Sequence, residues 1–228
     1  RPSEGASFDF TTSTQGAPLL ALRVGTAAVT RAILDTGSNG FLQLPESLLA
    51  PLATQPAVAV LGSAQSGAFG KSKEGARLVW LTDVNLAGTT LTDMIGQVQP
   101  GGAASLGNRF FERTRIVLDW RTKQLHVAEP AKLGRVCLRT HGLGLTFADG
   151  AVRVSTVIES SSAARSGLAP GQRVLAVDDI DLRGGGLTEF ARALEVVRDE
   201  SRESLVVTIE RDGKSIALEL ALEQILPR

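Results

Sequence analysis

Through the first half of the chain, apolar residues fall at strand spacing and are broken by Gly, Pro and Ser turns. The stretches 7–11, 20–24, 29–34, 77–81 and 115–120 alternate or run apolar over four to eight residues, and Thr and Val are common in them. Residues 119–125 read as a turn into a last strand that ends near Val127. No long 3.6-residue period appears in this half, so it is predicted to be mostly β.

The pattern turns mixed after Gly142. Residues 143–147 and 152–158 are strand-like and flank Asp149-Gly150, a dipeptide suited to a tight hairpin. Ser160, Ser161 and Ser162 offer a cap for a brief helix over 163–166, which Gly167 ends in the left-handed conformation. Another strand is expected at 174–177. Thr188 is the expected N-cap of a longer helix reaching Val197, because Phe190, Leu194 and Val197 recur at i, i+4 and i+7. Residues 205–210 and 216–220 flank Asp212-Gly213 and predict a closing hairpin. The expected organisation is a β domain over 1–130, a connector over 131–140 and an α+β domain over 141–228, with the two domains packed together.

Composition narrows the chemistry. The 228 residues carry 24 Lys+Arg against 24 Asp+Glu, so no net charge favours nucleic acid or an anionic membrane. One cysteine, Cys137, and two histidines, His126 and His141, are too few for a thiolate or imidazole metal site, and neither a metal nor an organic cofactor is expected. No apolar run approaches the ~18 residues of a membrane span. The opening Arg1-Pro2-Ser3-Glu4-Gly5 has no initiator Met and no signal-peptide pattern, so any targeting segment is expected to lie outside this sequence.

The most informative short stretch is Ala32-Ile33-Leu34-Asp35-Thr36-Gly37-Ser38, where an apolar strand delivers a carboxylate to its end. Gly37 permits a tight loop, Thr36 can hydrogen-bond across an interface, and Ser38 can donate to the outer oxygen of Asp35. Taken alone, Asp-Thr-Gly is as well explained by a simple turn. About seventy residues on, Ser105-Leu106-Gly107-Asn108 precedes an apolar strand, and Leu61 to Gly70 is rich in Gly and small residues. In this order the elements resemble the retropepsin-like aspartic proteases over roughly residues 7–128. The resemblance implies an acid-protease β-barrel with Asp35, Thr36 and Gly37 catalytic. It makes Ser38, Leu106 and Gly107 the packing behind them, and Ser66, Gly67 and Ala68 part of a flap over bound peptide. Ser105 stands where an aliphatic residue is commoner in that family. With one Asp-Thr-Gly in the chain, a working pair of carboxylates requires a homodimer, and the 8–10 segment is expected to supply a dimer-forming strand.

The second half resembles PDZ domains of bacterial envelope proteases. The residues that carry it are Gly142-Leu143-Gly144-Leu145, the segment 162–168, Pro170-Gly171-Gln172-Arg173-Val174 and the closing Asp212-Gly213. Gln172 replaces the usual acidic residue. The resemblance implies that Leu143, Gly144 and Leu145 receive a peptide's terminal carboxylate, with Phe190 and Leu194 lining the pocket; for Phe190, core packing explains the residue equally well. It also implies a periplasmic or secreted location.

Other residues have plainer explanations. His126 and His141 are expected at the surface or in caps, Trp80 and Trp120 in the β core, and Cys137 as a small buried hydrophobe. The charged run 198–203 is a solvated helix end, and Gly184-Gly185-Gly186 a loop. The sequence therefore predicts an aspartic endopeptidase with a PDZ domain that recruits substrate or regulates activity. The alternative is a latent or inactive scaffold that binds peptides through the PDZ domain.

Overall fold

A computed structural model describes residues 5–38, 40–48, 50–62, 66–67, 70–71, 75–101, 103–134 and 139–226. The fold is mostly β. By internal contact the chain divides into two compact units, residues 1–57 with 77–136 and residues 58–76 with 137–227. Residues 58–76, which the sequence places with the first half, therefore belong with the second.

In the first unit Pro18–Val24 and Ala27–Leu34 form an antiparallel pair. Ser105–Leu106 runs parallel to the end of Ala27–Leu34, with Ser105 opposite Ile33 and Leu106 opposite Leu34. The same short strand lies antiparallel to Leu42–Pro45, which in turn runs parallel to Met94–Gln99. Ala76–Leu81 pairs antiparallel with the other edge of Met94–Gln99. Strand period sends Leu42, Leu44, Leu81 and Val98 to one face, where they join Leu34, Leu106, Phe110 and Leu125 in the core. The opposite face carries Gln43, Gln99 and Ser105, all buried.

A separate three-stranded sheet joins Ala6–Asp9, Gln124–Val127 and Ile116–Asp119. Ala6–Asp9 is an edge strand of this sheet, paired on one side with Gln124–Val127, and Phe8 and Phe10 are buried in the core. Trp80 is buried as expected, but Trp120 is about half exposed. It stacks edge-on against Phe10 at 5.4 Å, beneath the Lys123 ammonium. It sits in the turn after Ile116–Asp119, outside the strand.

The second unit centres on the hairpin Leu143–Ala148 and Ala151–Ile158. A second sheet is built from Ile180–Asp181, Val174–Val177, Ser204–Arg211 and Lys214–Ala221. Asp149 and Asp212 both take positive φ before glycine, which closes the two tight hairpins as the sequence predicts. Ser161 caps the helix Ser162–Arg165 by accepting the Ala164 N–H. The longer helix Leu187–Arg198 begins one residue before the expected cap Thr188. Its N-cap is Gly186, whose N–H donates to the Glu189 carboxylate at 2.9 Å. The reach of that acidic side chain sets the start of the helix. Among the described residues no helix is long and apolar enough to cross a membrane.

Candidate active site and peptide-binding groove

Asp35 leaves the end of Ala27–Leu34 half-buried, and Thr36 and Gly37 beside it are exposed. The loop is fixed by backbone bonds in both directions. Asp35 N–H donates to Leu106 O at 2.9 Å, and Ser38 N–H donates to Asp35 O at 3.1 Å. The carboxylate is oriented by the Gly37 N–H, which donates to Oδ1 at 3.0 Å. Ser38 plays a different part from the expected one, because its Oγ accepts the Gly40 N–H at 3.1 Å and so shapes the loop.

The Leu106-Gly107-Asn108 element passes directly behind this loop. Gly107 N–H donates to Phe41 O at 2.8 Å, Asn108 N–H to Ser38 O at 2.8 Å and Asn108 Nδ2 to Thr36 O at 2.7 Å. Only glycine fits at 107, since a Cβ there would overlap the Gly40 carbonyl oxygen and stand 2.8 Å from the Gly40 carbonyl carbon. The Arg109 guanidinium lies 4.7 Å from the centre of the Phe41 ring, a cation–π contact at the same junction. Asp35, Thr36, Gly37, Ser38, Leu106 and Gly107 are thus brought together in one place.

The unusual Ser105 also has its explanation here. Its hydroxyl donates to Gln43 Oε1 at 3.1 Å, and Gln99 Nε2 donates to the same oxygen at 3.1 Å. A serine at this position serves a buried glutamine pair, where an aliphatic side chain would leave the pair short of a donor. Gln43, Gln99 and Gly40 were not singled out from sequence, and Asn108 was read only as part of its motif, with no role of its own. The adjacency of Gly107 and Asn108 to a strand was the one available signal for Asn108; cross-strand pairing of the glutamines has none.

Of the residues expected to belong to a flap, Ser66 and Gly67 form a two-residue strand paired with Gly70–Lys71. Ala68 lies outside the described residues, as does Cys137. The histidines depart from expectation, because both are buried. Ser7 Oγ lies 2.7 Å from His126 Nδ1 as its cross-strand partner. His141 is fully enclosed with its Nδ1 3.4 Å from Val197 O. Burial holds its pKa below the ordinary imidazole range, against the opposing pull of the Val197 and Arg202 backbone.

In the second unit Leu143–Ala148 pairs on one side with Ala151–Ile158, and the Leu187–Arg198 helix packs beside it. Leu143 and Leu145 are buried in the core, Gly144 is partly exposed, and Phe190 and Leu194 are partly buried against the same core. The Phe190 ring lies 5.9 Å from that of Phe147 on the strand. Strand and helix thus lie side by side with apolar side chains between them. Gln172, the departure noted in sequence, accepts the Ala169 N–H through its Oε1 at 2.9 Å, so an amide oxygen supplies the turn acceptor.

Residues 153–209 match the PDZ domain family. Among solved structures, a retropepsin-like aspartic protease from Rickettsia conorii is similar at 17% identity and TM-score 0.37, covering 54% of this chain and 91% of its own. The HtrA-type protease AlgW with decapeptide is similar at 10% identity and TM-score 0.34, covering 100% of this chain and 81% of its own. A serine endoprotease from Yersinia pestis is similar at 14% identity and TM-score 0.30, covering 95% and 79%. No curated protein matches the sequence.

Proposed function

We propose that the chain is an aspartic endopeptidase that acts as a homodimer and carries a PDZ domain for peptide C-termini. The observation that supports it is the Asp35 loop, where a half-buried carboxylate is held by the Gly37 N–H while Leu106, Gly107 and Asn108 brace the backbone behind it. Asp35 from two copies, facing one another, would share a proton, since two close carboxylates cannot both ionise. The ionised member takes a proton from water, and the protonated member polarises the scissile carbonyl as the oxygen attacks. The exposed Thr36 is free to bond across the twofold axis. Peptide C-termini would add as a strand along Leu143–Ala148 with the carboxylate at Leu143, Gly144 and Leu145, and Phe190 and Leu194 would take the terminal side chain. The domain would recruit substrate or regulate cleavage, in a periplasmic or extracellular setting.

The PDZ match over 153–209 also favours a second reading, a peptide-binding scaffold whose first unit is latent. Cleavage of a diverse peptide library between pH 4 and 8, by wild type and Asp35→Asn over a range of protein concentrations, separates the two. The peptidase reading expects cleavage that rises faster than linearly with concentration and falls at least ~100-fold in the variant. A variant as active as wild type would remove Asp35 from the mechanism, and an inert wild type that still binds free C-termini would leave the scaffold.

A further inference from the structure

The strand Ala57–Gly62 lies before the Ser66–Gly67 and Gly70–Lys71 pair in sequence, yet it is seated on the second unit. It runs antiparallel along Ala151–Ile158, with Val60, Leu61 and Gly62 opposite Ile158, Val157 and Thr156. Glu159 N–H adds a bond to Ala59 O at 2.9 Å. The seat is cut for it. Gly62 takes φ +87°, and a Cβ there would overlap the Ser155 carbonyl oxygen and stand 2.8 Å from Pro170 Cγ.

Ser155 is a bulged residue. On the other side of Ala151–Ile158 the register slips, so that Gly144 faces Thr156 and Leu145 faces Val154, leaving Ser155 without an opposite number. A Cβ on Gly144 would overlap Thr156 Oγ1 and stand 2.9 Å from Ser155 Oγ. One bulge is therefore in tight contact with two glycines, Gly144 in the candidate carboxylate loop and Gly62 at the end of the docked strand. Gly62 meets the Ser155 backbone and Gly144 the Ser155 and Thr156 hydroxyls, so a change on either side of the bulge is passed to the other through close-packed atoms.

We propose that peptide binding at Leu143–Leu145 and docking of Ala57–Gly62 are coupled through the Ser155 bulge. The inference rests on the reading of that loop as a carboxylate site. A peptide strand added to Leu143–Ala148 fixes the hairpin and with it the bulge, which favours the docked state of Ala57–Gly62. By linkage, the docked strand raises peptide affinity by the same factor. The segment 63–75 continues from Gly62, so occupancy of the peptide site is felt where that segment begins.

Hydrogen exchange on the full chain tests this, using as probe decapeptides ending in a free Val, Leu or Phe, with their C-terminal amides as controls. The free acids should slow exchange at 57–62 about fivefold or more, and the amides should not. Gly62→Ala should abolish that slowing and weaken free-acid binding by a similar factor, while the 204–221 hairpin keeps its protection and so reports an intact fold. Gly144→Ala, with no ligand present, should speed exchange at 57–62. Free acids that bind wild type without changing 57–62, or that bind Gly62→Ala as tightly as wild type, would overturn the coupling while leaving the carboxylate site intact. If no probe binds wild type, the carboxylate reading fails. The strand link then stands or falls on Gly144→Ala, and unchanged exchange at 57–62 refutes it.

Discussion

Asn108 Nδ2 donates to the carbonyl oxygen of Thr36 at 2.7 Å, across 72 positions of sequence. This bond and the Asn108 N–H to Ser38 O bond make one residue the clasp of the Asp-Thr-Gly loop. Asn108→Ala removes the side-chain donor and should cost only about 0.5–1.5 kcal/mol of stability, the usual net value of one hydrogen bond. If Asp35 acts as proposed, the effect on cleavage should be larger, at least ~10-fold in kcat, because a small displacement of the reacting carboxylate is costly. Urea unfolding and steady-state kinetics on one preparation check both numbers.

Gly107→Ala should be more damaging to the fold. Its Cβ meets the Gly40 backbone, which is the loop itself and has no side chain to swing away. The overpacking predicts a loss of about 1–3 kcal/mol. A denaturation midpoint equal to that of wild type would show that the two segments are less tightly apposed than described.

The Gln43–Gln99 pair is suited to a double-mutant cycle. Gln43 Nε2 and Gln99 Oε1 are buried without a hydrogen-bond partner among the described residues, while Gln99 Nε2 and Gln43 Oε1 bond to one another. Gln43→Leu alone strands the donors of Gln99 and Ser105, and Gln99→Leu alone takes a donor from Gln43. Each should destabilise by about 1–3 kcal/mol. The double variant should cost less than the sum of the two, since both members of the polar pair are then gone. Thermal or urea unfolding of the four proteins gives the interaction energy directly.

His141 predicts a pH dependence of stability. Its folded-state pKa is held below the ordinary value near 6.5 by burial, so above that pH the ring is neutral in both folded and unfolded chains and contributes no slope. As pH falls below about 6.5 the unfolded chain takes up the proton first, and stability drops until the folded pKa is reached. His141→Gln should flatten the part of the stability–pH curve that lies just below 6.5. An unchanged slope in the variant would assign it to other groups.

Much of this protein is legible as local pattern. The run 29–34 leads an apolar strand into Asp35 because alternation and chain direction are properties of a few neighbouring residues. The Asp149-Gly150 and Asp212-Gly213 hairpins follow from the conformational preferences of those dipeptides alone. The order of Asp35, Leu106-Gly107 and the later Gly-Leu-Gly-Leu loop was likewise readable before any coordinates. Helix starts were less so, since Glu189 reaching back to Gly186 displaced the expected cap at Thr188.

Tertiary structure alone decided where 57–62 sits, that Phe8 and Phe10 enter the core, that His141 is enclosed and that Trp120 is half exposed. For the strand, the physical reason lies in the choice of partner. A strand's hydrogen bonds can be met by any edge of suitable register, and its own residues do not name that edge. Ala57–Gly62 pairs with Ala151–Ile158 because Gly62, with its positive φ and missing Cβ, fits the bulged Ser155 carbonyl, a complementarity between residues more than ninety positions apart.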